Sequence, residues 1–136
     1  MGFANEYRTE HAKKIILNVG SLTFNQLEQG LKTLEMRLKK GSQVKICVGD
    51  IIIFKLQTGE EQKAEDEVAC EKKVIAVRNY IGLSSLAEKE DFKKIFPARA
   101  SKKNFLEKIE SHYHKLSKFL DLEACEFEII EFKNLV

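Results

Sequence analysis

The chain has 136 residues, a length that suits one packed core better than two marginal ones. Hydrophobic residues make up 43% and charged residues 32%, which allows a buried core under a solvated surface and excludes a largely disordered chain. With 23 basic against 21 acidic side chains, the net charge of +2 is too small to call for a nucleic-acid partner by itself, so any basic footprint must be local.

Residues 1–12 are polar and read as a loose segment ahead of a single domain over 13–136. That segment lacks the apolar stretch of a secretory signal, and the longest apolar runs, Ile15-Ile16-Leu17 and Ile51-Ile52-Ile53-Phe54, are too short to span a bilayer. The expectation is a cytoplasmic protein, or a nuclear one if eukaryotic, without a membrane partner. Its oligomeric state is left open.

Lys13 to Val19 predicts a strand ending at Gly20, after which Ser21 and Thr23 offer N-cap oxygens to a short helix with Phe24, Leu27 and Leu31 as its apolar stripe. Gly30 is the expected helix stop. From Lys32 the pattern turns extended, with Leu34 and Met36 on one strand face and Thr33, Glu35 and Arg37 on the other. Lys39-Lys40-Gly41-Ser42 reads as a basic turn and Val48-Gly49-Asp50 as a second turn. Ile51 to Leu56 is apolar enough for a central strand, residues 57–66 suit an exposed tip, and Glu67 to Tyr80 predicts a strand or strand pair.

Ser85 and Glu88 have capping-box spacing, which predicts a helix through Leu86, Phe92, Ile95 and Phe96 that Pro97 stops. Ser101 caps a longer helix with Phe105, Ile109, Tyr113 or His112, Leu116 and Leu120 inward. In the last segment Cys125, Phe127 and Ile129 alternate inward before the phase shifts to Ile130 and Phe132, so a β-bulge or a strand buried on both faces is expected. The sum is an α+β domain around a curved sheet able to close as a small barrel. The three cysteines, Cys47, Cys70 and Cys125, are odd in number and widely spaced, as expected of reduced, packed thiols. His112 and His114 point to different sides of a helix, so no metal is expected.

The stretch Gly30-Leu31-Lys32-Thr33-Leu34-Glu35-Met36-Arg37 fits the pattern Gly-x-Lys-x-x-Glu-x-Arg. It resembles the signature of the ASCH domain, a family similar in fold to the PUA RNA-binding domain. Val48 to Phe54, Val77-Arg78-Asn79-Tyr80 and Ile130-Glu131-Phe132-Lys133 are similar to the family in the expected order. The resemblance implies a PUA-like mixed β-barrel flanked by helices and a cleft beside the signature. It also implies RNA, a nucleotide or a modified nucleoside as partner, without a cofactor.

In such a cleft Lys32 and Arg37 hold phosphate or a base edge, Glu35 accepts from an exocyclic amine, and Lys39, Lys40 and Lys45 steer an RNA backbone. Lys32 and Glu35 differ in strand parity, so they converge only if Lys32 belongs to the turn after Gly30 or the strand is distorted; the turn is the expectation.

Some family members resemble amidohydrolases acting on N4-acetylcytidine, and ribonuclease activity is also attributed to the family. On that reading Lys32 is catalytic, with Glu88 or Glu90 as the later glutamate, although this chain carries Glu35 where those relatives have threonine. Lys32 then needs a lowered pKa, which Glu35 opposes. Plainer alternatives stand beside these: a Glu35–Arg37 ion pair, a solvated basic turn at Lys39 and Lys40, or a protein-interaction domain that uses the basic face of the helix from Ser101 to Leu120.

Overall fold

The two apolar runs become β1 (Lys14–Val19) and β3 (Ile51–Leu56), which pair in parallel with Ile15 beside Ile52 and Leu17 beside Phe54. β4 (Ala69–Ile81) lies antiparallel on β3, β5 (Glu126–Asn134) antiparallel on β4, and β2 (Leu34–Leu38) antiparallel on β5. The resulting order is β1-β3-β4-β5-β2. Edge strands β1 and β2 both line one cavity, so the five-stranded sheet curls into a half-barrel open along that seam. This is the α+β, curved-sheet architecture that the sequence predicts. The structure is a computed structural model describing residues 12–41, 43–57 and 68–135. The expected loose start, apart from Ala12, and the expected tip, apart from Gln57, lie outside the described residues.

Apolar side chains on the two sheet faces build two cores. On one face Leu34, Phe127 and Ile129 meet Leu83 and Leu86 of α2 (Leu83–Lys89), Ile95 of α3 (Phe92–Ile95), and Phe105 and Ile109 of α4 (Lys102–Leu116). The Phe105 ring sits 5.9 Å from those of Phe92 and Phe96. On the other face Ile52, Phe54, Val74, Val77, Ile130 and Phe132 enclose Leu27 of α1 (Ser21–Glu28), with the Phe54 and Phe132 rings 5.3 Å apart. β5 lies between β4 and β2 with a core on each side, so Phe127 to Ile130 are all buried. That accounts for its broken alternation. The bulge itself is on β4, where the register shifts between Val74 and Ala76 opposite Phe132 and Glu131.

Several element ends differ from the sequence expectation. Gly20, not Ser21 or Thr23, is the N-cap of α1, and Leu31 lies beyond the helix and is exposed. The predicted helix from Ser85 is two: α2 starts after Gly82, and a break at Glu90 and Asp91 separates it from α3, where the Asp91 carboxylate accepts from Lys93 N at 3.0 Å. Gly82 has φ +93°, and a Cβ there would meet Glu123 O at 2.9 Å, so the chain reverses at this position through glycine's freedom rather than through a Ser85 capping box. Ser101 does cap α4, its Oγ accepting from Asn104 N at 3.1 Å. Leu116 ends that helix and is exposed. Asp50 is fully buried and organises the turn before β3, accepting from Lys13 N at 3.0 Å and Cys47 N at 2.9 Å.

Candidate functional site: a basic cavity beside an open seam

Gly30 takes φ +75°, and behind it Leu31 N and Lys32 N both donate to Gln26 O, at 2.9 and 3.1 Å. Lys32 therefore belongs to the turn before β2. Its Nζ donates to Leu34 O at 2.8 Å and to Ile95 O of α3 at 2.6 Å, and stands 3.5 Å from Glu35 Oε1. It also lies 5.3 Å from the centroid of the Phe96 ring. The convergence of Lys32 with Glu35 thus comes from the turn, with β2 left regular. Lys32 is 2% exposed; burial pushes its amine below the ordinary lysine range while Glu35 pulls it back up.

These side chains also act on the outer edge of β2. Thr33 O accepts from Phe132 N and Lys39 N donates to Glu126 O, so the odd positions bond to β5 and residues 34, 36 and 38 turn their backbone groups outward. On that edge Leu34 O accepts from Lys32 Nζ, Met36 N donates to Glu35 Oε1 at 3.2 Å, and Leu38 O accepts from Gln43 Nε2 at 2.8 Å. Lys32, Glu35 and Gln43 so occupy backbone groups that an unpaired edge would otherwise offer to another strand.

Arg37 stands directly across from Glu128 in the β2–β5 register. Its Nε donates to Glu128 Oε1 at 2.6 Å and its Nη2 to Val44 O at 2.8 Å, fixing the loop after β2 against β5. Beside it is a cavity of about 450 Å³ walled by Arg37, Lys39, Lys40 and Lys45, with Asn79, Glu126 and Glu128 also lining it. Lys39 pairs with Glu126 at 3.2 Å on the exposed side. A second cavity, about 410 Å³, fills the seam between β1 and β2 and is walled by Ile15, Leu17, Ile130, Glu35 and others. The two share Arg37, Gln43, Val44 and Ile46.

Among the expected site residues, Glu35 and Arg37 line the seam, and Arg37, Lys39, Lys40 and Lys45 line the basic cavity. Lys32 touches Glu35 but lines neither cavity, because its amine is held by two backbone carbonyls. Glu88 is exposed on α2. Glu90, at the break after that helix, turns inward: it accepts from Arg78 Nε at 2.6 Å and Arg78 Nη2 at 3.0 Å, and from the Tyr80 hydroxyl. Arg78 Nη1 bonds Glu131 at 2.7 Å as well. Burial, and then the bond to Glu90, push the Tyr80 phenol up to about 12. The Glu35–Arg37 ion pair considered from sequence is replaced by Lys32–Glu35 and Arg37–Glu128.

Sequence reasoning missed Gln43, Val44, Glu126 and Glu128. Only the strand register identifies Glu128, which sits 91 residues from its arginine partner. The outward face of α4 carries Glu107 and Glu110 among Lys102, Lys103, Lys108 and Lys115, so it is basic in excess but interrupted by acidic side chains. Among the described residues, no cluster of His, Cys, Asp and Glu is placed to hold a metal, all three cysteines are free, and no helix is long and apolar enough to cross a membrane.

The sequence matches no protein-family model and no curated protein. Solved structures do match. The hypothetical protein PH0355 superposes with a TM-score of 0.64 at 21% identity, over 88% of this chain and 97% of its own. Protein PF0455 from Pyrococcus furiosus gives 0.60 at 18% identity, over 90% of this chain and 97% of its own. An ASCH domain from Lactobacillus crispatus gives 0.55 at 11% identity, over 90% of this chain and 80% of its own. The likeness carries the fold: the chain has the ASCH, PUA-like architecture.

Proposed function

We propose that this protein is a nucleotide- or RNA-binding ASCH domain that holds phosphate in the basic cavity after β2. The supporting observation is that Arg37, Lys39, Lys40 and Lys45 surround one cavity although the chain as a whole carries a net charge of only +2. Glu126 and Glu128 also line this cavity and pair with Lys39 and Arg37, which leaves a net positive recess, and that is what a phosphate backbone or a terminal phosphate selects. Arg37, anchored by Glu128 and Val44 O, supplies a fixed cation, while exposed Lys39 and Lys40 follow the ligand. Asn79 adds a donor and an acceptor on the β4 wall.

Titrating a labelled single-stranded RNA of ten nucleotides by fluorescence anisotropy, at several salt concentrations, tests this reading. Affinity is expected to fall as salt rises, with a slope of about −0.7 per phosphate contacted. The Lys39→Gln, Lys40→Gln double variant is expected to bind more weakly and with a shallower slope. Salt-independent binding, or an unchanged slope in the variant, overturns it. Hydrolysis is not favoured, since Lys32 is committed to Leu34 O and Ile95 O, and Glu90 to Arg78. Incubation with N4-acetylcytidine or RNA is expected to give no Lys32-dependent turnover; turnover that the Lys32→Ala variant loses would contradict this assignment.

A further inference from the structure

We propose that the outer edge of β1 docks an extended peptide of a partner protein, which adds to the five-stranded sheet antiparallel to β1, sets alternate apolar side chains in the seam and carries acidic residues at its C-terminal end. The ligand is a protein segment, and its binding does not depend on the basic cavity holding RNA.

The two edges of the half-barrel are not alike. Ile51 N donates to Lys13 O at 2.9 Å and Gln57 N to Val19 O at 2.8 Å, and between them the β1–β3 register runs without a shift from Lys14 beside Ile51 to Val19 beside Leu56. In such a parallel pair the odd positions of β1 bond to β3, which turns the N–H and C=O of Lys14, Ile16 and Asn18 outward. Among the described residues no hydrogen bond reaches those outward groups. On β2, by contrast, Leu34 O, Met36 N and Leu38 O are bonded by Lys32, Glu35 and Gln43. A proline, a bulge or a charge in mid-strand would blunt an edge; β1 has none of these between Ile15 and Val19, and its central Ile16 is 54% exposed. One edge is closed to another strand and the other is open.

The spacing of these open groups fixes the class of ligand. An N–H and a C=O at every second residue match the backbone of another strand, and an antiparallel peptide exchanges both bonds with each of them. Peptide side chains opposite Ile15 and Leu17 point as those two do, into a cavity of about 410 Å³ that Met36, Ile46 and Ile130 also wall. Charge sets the rest. Within the seam Arg37 is paired with Glu128 and Glu35 with Lys32, whereas Lys13 and Lys14 stand exposed where β1 begins. An antiparallel peptide ends beside them, so its acidic residues belong at its C-terminal end.

The probe is a fluorescein-labelled octapeptide that alternates threonine and valine and ends in two glutamates, titrated into the full chain by fluorescence anisotropy. With its valines in the seam, the threonines lie opposite Ile16 and the even-numbered positions beside it and turn their N–H groups to β1. N-methylation of the threonines is therefore expected to weaken binding at least about tenfold, and N-methylation of the valines to change it less than about twofold. Equal effects of the two, or no binding of the parent peptide, would overturn the proposal. Ile16→Pro removes an outward N–H while leaving the β1–β3 bonds in place, so it should lose the peptide with its circular dichroism unchanged. If that variant does not fold, the two methylated peptides decide on the unaltered chain. Replacing the glutamates by glutamines should weaken binding about threefold in the unaltered chain and not in Lys13→Gln, Lys14→Gln. No difference in the unaltered chain would overturn the acidic partner. A dimer in sedimentation velocity that Ile16→Pro disperses, with no peptide bound, would assign the edge to a second copy and overturn the proposal as well.

Discussion

Lys32 shows how far a motif residue's chemistry depends on where its side chain goes. Buried at 2% exposure and bonded to carbonyls of β2 and α3, its amine ties the β2 edge to the helical layer. Lys32→Met keeps the aliphatic stem and leaves two carbonyls unsatisfied, which is expected to cost on the order of 2 kcal/mol in urea unfolding. Folded Lys32 holds its proton less tightly than the unfolded chain does, so its contribution to stability rises with pH from its lowered value toward 10.5. The stability gap between wild type and Lys32→Met should therefore widen over that interval. Tyr80 has the opposite sign. Its phenol is raised from 10.0 to about 12, so the folded state binds the proton more tightly, and the stabilisation present below 10 is lost as pH climbs toward 12. Urea midpoints of wild type against Tyr80→Phe at pH 9 and pH 11.5 check this; a gap that grows with pH would contradict the Glu90 clasp.

At the scale of elements, patterns that depend only on apolar spacing were legible in the sequence. Ile51 to Leu56 is a central strand, Phe105 and Ile109 are the inward face of α4, and Ser101 is its cap. What depended on tertiary contact was not legible. Ser85 and Glu88 have the spacing of a capping box, yet the helix starts three residues earlier because the close pass of Gly82 by Glu123 O sets the turn. Gly82→Ala combines a left-handed φ with that 2.9 Å approach and is expected to lower stability by about 1–3 kcal/mol. The phase change in β5 reflects a core on each of its faces, a property of its place between β4 and β2 rather than of its own residues. Phe105→Ala, which empties the centre of the helical core, should cost about 3–5 kcal/mol by the same unfolding assay.

On the scale of the whole molecule, the half-barrel keeps its seam open between two edge strands, protects one edge with side chains, and gathers local cations where the loop after β2 meets β5. The lysines of that loop were readable from sequence as a basic turn. That Arg37 would join them while Lys32 turned away was not, because it follows from the Arg37–Glu128 register and from the packing of α3 on β2. The central claim is that ligand binds at the basic cavity and not at the buried lysine. Measuring single-stranded RNA affinity side by side for Lys32→Met and Lys39→Gln, Lys40→Gln, each at a denaturant-free temperature where both are folded, tests it most directly. The account predicts wild-type affinity for Lys32→Met and a several-fold loss for the loop variant; loss in Lys32→Met with the loop variant unaffected would contradict it.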